Sequence, residues 1–116
     1  PISMHPRVTE ETTGMMNAKS FAKMKPGATF VNTARGPLCD YDALTEALLS
    51  GHIGGAMLET FGVEPVPADW PLLKLDNVTL TPHIAGASVR TVTFAAEQAA
   101  EEVRRYIAGE PAWHLC

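Results

Sequence analysis

Arg35, Glu64 and His83 are the residues of this chain whose types could act together on one small molecule. A guanidinium binds a carboxylate through two parallel hydrogen bonds. An imidazole gives and takes a proton near neutral pH. A carboxylate beside the imidazole holds one ring nitrogen in a fixed tautomer, so the set reads as anion clamp, acid/base and orienting group. Taken singly, each has an ordinary structural use: a loop Arg is commonly a surface charge, and a His after a strand is often a packed or hydrogen-bonded loop residue. Their positions are what join them. Each follows a short apolar run: Ala28 to Asn32 leads into Thr33-Ala34-Arg35-Gly36, Ile53 to Leu58 into Glu59 to Pro65, and Val78 to Leu80 into Thr81 to Gly86.

Those runs do not alternate with polar residues, which suits strands of a parallel sheet covered on both faces. The first is entered through Lys25-Pro26-Gly27, where Pro presets φ for a turn. Helical signals lie between the runs. Asn17 can cap a helix from Ala18 to Met24. Asp40 can cap a second, with Leu44, Ala47 and Leu48 on one face and Gly51 just past its end. Ser88 opens the longest, in which Val89, Val92, Ala96, Ala99, Val103 and Ile107 recur at three- and four-residue steps until Gly109. That stripe reads as core material, with Glu101 and Arg105 in favourable i,i+4 order on the other face. Helices alternating with apolar strands, closed by a long helix, are the order of the second half of a doubly wound α/β domain. In an open parallel sheet, ligands bind at the carboxyl ends of the strands. The three candidates are therefore expected on one rim, with the proline-rich stretch from Gly62 to Asp76 outside the sheet.

The chain has 116 residues, enough for one domain but not for two independent ones. Hydrophobic residues at 46% and charged residues at 19% exclude a disordered chain. Lys and Arg total 9 against 13 Asp and Glu, a net charge of -4 without a basic cluster, which argues against nucleic-acid and anionic-membrane partners. No apolar run has the length of a transmembrane helix or the form of a signal peptide. The two cysteines, Cys39 and Cys116, supply neither a disulfide framework nor a zinc site, so no metal and a reducing, cytoplasmic setting are expected. Cys39 is expected as buried packing, His52 as solvent-facing, Trp70 and Trp113 as loop or terminal packing, and His114 with Cys116 as a poor metal site. Pro1 to His5 read as the end of a buried strand with none before it, as in a piece of a longer protein.

The strings Val31-Asn32-Thr33-Ala34-Arg35-Gly36, Gly51-His52-Ile53-Gly54-Gly55-Ala56, Glu64-Pro65 and Asn77-Val78-Thr79-Leu80-Thr81-Pro82-His83-Ile84-Ala85-Gly86 are specific in wording and order. Together they closely resemble the D-isomer-specific 2-hydroxyacid dehydrogenase family, over nearly the whole chain. The resemblance implies the second half of a doubly wound Rossmann-type NAD-binding domain with a parallel sheet, spanning residues 1–107, and a segment 108–116 that returns towards a substrate domain. It implies NAD as cofactor, with NADP open, and hydride transfer between nicotinamide and C2 of a D-2-hydroxy acid or 2-oxo acid. Arg35 matches the residue that binds the substrate carboxylate and carbonyl. His83 matches the proton donor and acceptor, which also meets the substrate, and Glu64 the group that assists it. Pro6 and Thr12 match positions near the adenosine and its linking phosphates. Thr33, Ala34, Arg35, Glu59, His83, Ile84, Ala85 and Gly86 match the nicotinamide side. Relatives usually form homodimers.

Two departures accompany the likeness. Glu59 stands where the family commonly has Asp, and Pro6 lies one place earlier than the family's Pro. The nine glycines contain no Gly-x-Gly-x-x-Gly, so the phosphate-binding turn and the acidic residue that selects between NAD and NADP are not in this chain. The chain alone is expected to be inactive. Two other readings share the pattern. One is a non-catalytic, cofactor-sensing module that recruits protein partners. The other is formate dehydrogenase, which carries Gln where Glu64 stands.

Overall fold

Strands that are short, apolar and separated by helices can bury their backbones only by lining up in parallel. The structure, a computed structural model, describes residues 1–113; the terminal pair His114 and Cys116 lies outside the described residues. It divides into two compact units, Pro1–His83 and Ile84–Cys116. In the first, β1 (Ile2–Met4), β2 (Ala28–Asn32), β3 (Ile53–Leu58) and β4 (Val78–Leu80) form one sheet in the order β1-β2-β3-β4. Every pair is parallel. Between the strands run α1 (Ala18–Ala22) and α2 (Tyr41–Leu49), with short 3-10 helices at Gly36–Leu38 and Pro71–Lys74.

The register sets which residues share a face. Met4, Asn32, Leu58 and Leu80 form one row across all four strands, and Ser3, Val31, Met57 and Thr79 the row before it. Met4, Asn32 and Leu58 are buried, as are Phe30 and Ala56 two residues earlier, whereas Met57 is 50% exposed and Ser3 and Thr79 are exposed. Within the first unit the sheet is thus covered on one face, not on both as the uninterrupted apolar runs predict. The run in β3 is unbroken because Gly54 and Gly55 add no polar group, not because both faces are packed. Likewise β1 buries only Met4, with Ile2 41% exposed.

The covered face holds the core: Phe21, Phe30, Leu38, Leu44, Leu48, Ile53, Leu58 and Leu72. Phe21 meets Phe30 edge to face with ring centroids 5.2 Å apart. Local signals place the helices. The Asn17 side chain accepts from the amides of Lys19 and Ser20, and Asp40 from those of Asp42 and Ala43. Gly51 follows α2 at φ 74°, where a side chain would be strained. Helix α1 stops at Ala22, two residues short of expectation and ahead of Pro26.

Cys39 is buried as expected, and burial followed by the charge of Asp40 pushes its thiol up to about 12. His52 is not solvent-facing: its Nε2 lies 3.1 Å from the Phe21 carbonyl, tying the end of α2 to α1. The stretch from Gly62 to Asp76 lies outside the sheet yet sends Leu72 fully into the core.

The second unit is dominated by α3 (Val89–Ala108), capped by the Ser88 hydroxyl, which accepts from the Thr91 amide, and ended by Gly109. Within this unit the apolar stripe, expected as core material, has no buried residue; Val89 is 85% and Ile107 79% exposed. Glu101 pairs with Arg104 at 2.9 Å, not with Arg105. The reason is Glu110, which the turn at Gly109 brings within 3.0 Å of Arg104 and 3.2 Å of Arg105. Arg105 also lies 5.0 Å over the Trp113 ring.

Candidate active site

In a parallel sheet all strand ends of one sense lie on one rim, and here that rim is level. The Glu59 amide donates to the Asn32 carbonyl at 3.0 Å and the Thr81 amide to the Leu58 carbonyl at 3.0 Å, carrying the register one residue past the strands. His5, Thr33, Glu59 and Thr81 therefore leave the sheet side by side.

Beyond β3 the chain turns back on itself. The Phe61 amide donates to Oε1 of Glu64 at 2.8 Å, which fixes the carboxylate from its own turn. The other oxygen, Oε2, accepts from Nδ1 of His83, beyond β4, at 3.1 Å. These two hydrogen bonds, with smaller contributions from the charges of His83 and Arg35, hold the Glu64 carboxyl below the usual carboxylate range. Both side chains stay open to a ligand, His83 43% and Glu64 38% exposed.

Beyond β2, Asn32 shapes the turn. It is fully buried in the last row of the covered face. Its Oδ1 accepts from the Ala34 amide at 3.1 Å, and its Nδ2 donates to the Arg35 carbonyl at 3.0 Å. Arg35 is exposed and folds one guanidinium nitrogen onto the Ala34 carbonyl at 2.7 Å. Pro6, Thr33, Ala34 and Arg35 line a cleft with His5, Arg7 and Val8, at the carboxyl edge of β1 and β2. Thr12 stands apart from that lining: its hydroxyl accepts from the Thr9 amide at 2.8 Å and donates to the Arg7 carbonyl at 2.7 Å, bracing the loop that carries Pro6. Glu59 is buried at 7% exposure. Ile84, Ala85 and Gly86 open the second unit.

Glu64 and His83 are thus brought into direct contact, and Arg35 stands on the same rim near enough for its charge to act on Glu64. No group of three or more metal-ligating side chains occurs among the described residues. Among the described residues, no helix is long and apolar enough to cross a membrane. Two residues that sequence reasoning left without a role belong to the site's frame. One is Asn32, whose signal is a polar residue two places after core Phe30 on a buried face. The other is Tyr41, whose hydroxyl accepts from Asn32 Nδ2 at 3.3 Å and donates to the Thr60 carbonyl. No local pattern announces Tyr41; only the fold carries it to Asn32.

Residues 1–85 match the family described as "D-isomer specific 2-hydroxyacid dehydrogenase, NAD binding domain". The chain is 44% identical over 109 residues to a glyoxylate reductase of Thermofilum pendens, covering 94% of this chain and 32% of that protein. It is 42% identical over 109 residues to a D-3-phosphoglycerate dehydrogenase of Mycobacterium leprae, again covering 94% of this chain but 20% of the relative. The crystal structure of a D-isomer specific 2-hydroxyacid dehydrogenase from Xanthobacter autotrophicus in complex with NADPH and MES superposes with a TM-score of 0.86 at 47% identity, over 96% of this chain and 45% of that one. The chain spans a third or less of the length of these two curated relatives. The parallel α/β sheet, the motif strings along its rim and the match over residues 1–85 lead to one conclusion: the chain belongs to the D-isomer specific 2-hydroxyacid dehydrogenase family and carries part of that family's NAD-binding domain.

Proposed function

We propose that this chain supplies the acid–base pair, the anion clamp and the nicotinamide side of the cofactor site to an NAD(P)-dependent oxidoreductase of D-2-hydroxy and 2-oxo acids. The observation that carries the reading is the Glu64–His83 hydrogen bond of 3.1 Å on the strand-end rim that also bears Arg35. The cleft lined by Pro6, Thr33, Ala34 and Arg35 fits a nucleotide cofactor, being open, partly polar and set where parallel sheets receive ligands. Those residues would hold the cofactor there with Glu59, and the family resemblance extends the contacts to Thr12, His83, Ile84, Ala85 and Gly86. The nicotinamide, when bound, supplies or takes up the hydride at C2 of the acid.

The protein's share is positioning and proton transfer. The Arg35 guanidinium binds the substrate carboxylate through two parallel hydrogen bonds, which orients C2. Glu64 accepts from Nδ1 of His83, so Nε2 is the ring position that meets the substrate oxygen. In reduction His83 gives its proton from Nε2 to the carbonyl oxygen; in oxidation it takes the hydroxyl proton back. Glu64 keeps its charge through this cycle because the Phe61 amide and His83 both favour the ionised form. This role for Glu64 separates the reading from a formate dehydrogenase, whose substrate has no carbonyl oxygen that must receive a proton.

The test is turnover of 2-oxo acids by the protein encoded by the full reading frame containing this chain, followed through nicotinamide absorbance. His83→Gln is expected to lower turnover by roughly 10²–10⁴ while NADH still binds. Near-wild-type turnover in that variant removes His83 from its role. Cofactor binding without turnover of any 2-oxo acid by the unaltered protein supports the non-catalytic module instead.

A further inference from the structure

We propose that Tyr41 and Asn32 are positioning residues that lock the loop of Arg35 to the turn of Glu64. The anion clamp and the acid–base pair then keep one fixed spacing. The two segments leave different strands, and nothing in their sequences couples them. Three observations do so in space. The Tyr41 hydroxyl, at the first residue of α2, donates to the Thr60 carbonyl and accepts from Asn32 Nδ2 at 3.3 Å. The same Nδ2 donates to the Arg35 carbonyl at 3.0 Å, while Oδ1 holds the Ala34 amide at 3.1 Å. Above this tie the two backbones touch, since a Cβ on Gly36 would collide with the Phe61 carbonyl.

Tyr41 also braces the Glu64 turn through its ring. Its centroid lies 6.5 Å from that of Phe61 and 5.4 Å from that of Trp70. Its edge stands 3.6 Å from where a Cβ of Gly62 would lie. Phe61 in turn is the residue whose amide fixes Glu64, at 2.8 Å. The path from clamp to acid–base pair is therefore continuous: Arg35 carbonyl, Asn32 amide, Tyr41 hydroxyl, Thr60 carbonyl, Phe61 amide, Glu64, His83. Asn32 and Tyr41 are both buried, at 0% and 9% exposure, so water cannot replace a lost partner cheaply. Burial pushes the Tyr41 phenol well above its ordinary range, so the hydroxyl stays a donor at any working pH.

This inference rests on the functional reading above only for what the spacing serves, and its test keeps the two apart. Tyr41→Phe retains the ring and removes the hydroxyl. In the protein encoded by the full reading frame, the Glu64 carboxyl, titrated by carbon NMR, is expected to rise in Tyr41→Phe towards the ordinary carboxylate value. In the same variant kcat/KM for the 2-oxo acid is expected to fall about tenfold, as a small misplacement of reacting groups does. An unchanged Glu64 titration in a folded Tyr41→Phe protein overturns the tie. If the unaltered protein turns over no 2-oxo acid, the functional reading fails, and the Glu64 titration still decides the tie. Should Tyr41→Phe not fold, hydrogen exchange in the unaltered protein answers the question. Tied loops open together, giving the Ala34 and Phe61 amides matched protection; independent rates for the two overturn the proposal.

Discussion

The Glu64–His83 pair illustrates how little a single contact means without its surroundings. A half-exposed carboxylate facing an imidazole is ordinarily a weak surface interaction. Here the carboxylate is already claimed by the Phe61 amide, so its second oxygen, and with it His83, has a defined position. The downward shift of the Glu64 carboxyl also makes a statement about stability. A group whose pKa is lower folded than unfolded stabilises the fold above its unfolded value, about 4.3 for Glu. That contribution fades as pH falls through the lowered, folded value. Glu64→Gln keeps an acceptor for the Phe61 amide but loses the charge. Its melting temperature is expected to sit below wild type above roughly pH 5, with the margin closing in acid. A margin that stays the same at every pH excludes the charge as its source. The residue types Glu and His made this pair legible in the sequence. Its orientation was not, because the Phe61 bond depends on how the chain turns after β3.

At the level of elements, the capping signals were the most legible feature, because a cap is satisfied by amides two and three residues away and needs no tertiary partner. Asn17, Asp40 and Ser88 all cap as their sequence positions imply. Asp40→Ala leaves the amides of Asp42 and Ala43 without their acceptor and is expected to destabilise the first unit by about 1 kcal/mol in denaturant unfolding. Asp40→Asn, which keeps the oxygen, is expected to recover most of that loss; no recovery means that the oxygen is not the stabilising atom. The end of α3 shows where local reasoning stops. The i,i+4 rule pairs Glu101 with Arg105, but Glu110 enters from beyond the helix and pairs with both Arg104 and Arg105, while Glu101 pairs with Arg104. A rule for isolated helices cannot see a residue that returns through a turn.

At the scale of the whole first unit, the burial of one sheet face decides what is stable and where the site can lie. Phe30 is fully buried at the centre of the covered face, paired with Ile2 and Ala56 on either side and edge-on to Phe21. Phe30→Ala is expected to cost roughly 3–5 kcal/mol in denaturant unfolding, the range for removing an aromatic side chain from a packed core. A cost under about 1 kcal/mol would mean that this face is not the core. Asn32 follows on the same face at the rim, so the core that Phe30 anchors also seats the amide that shapes the Arg35 turn. Stability and the geometry of the candidate site thus share one layer of side chains.

What the sequence determined by itself was local or periodic. The strand runs, the helix caps, the parallel order and the family strings all rest on neighbours along the chain, which sequence spacing records directly. The tertiary structure alone decided how many faces the sheet covers, that Glu64 meets His83 from across nineteen positions, and that Tyr41 meets Asn32 nine positions away. Burial and side-chain pairing depend on which segments the register brings level, and a parallel register is set by crossovers whose packing no short window of residues contains.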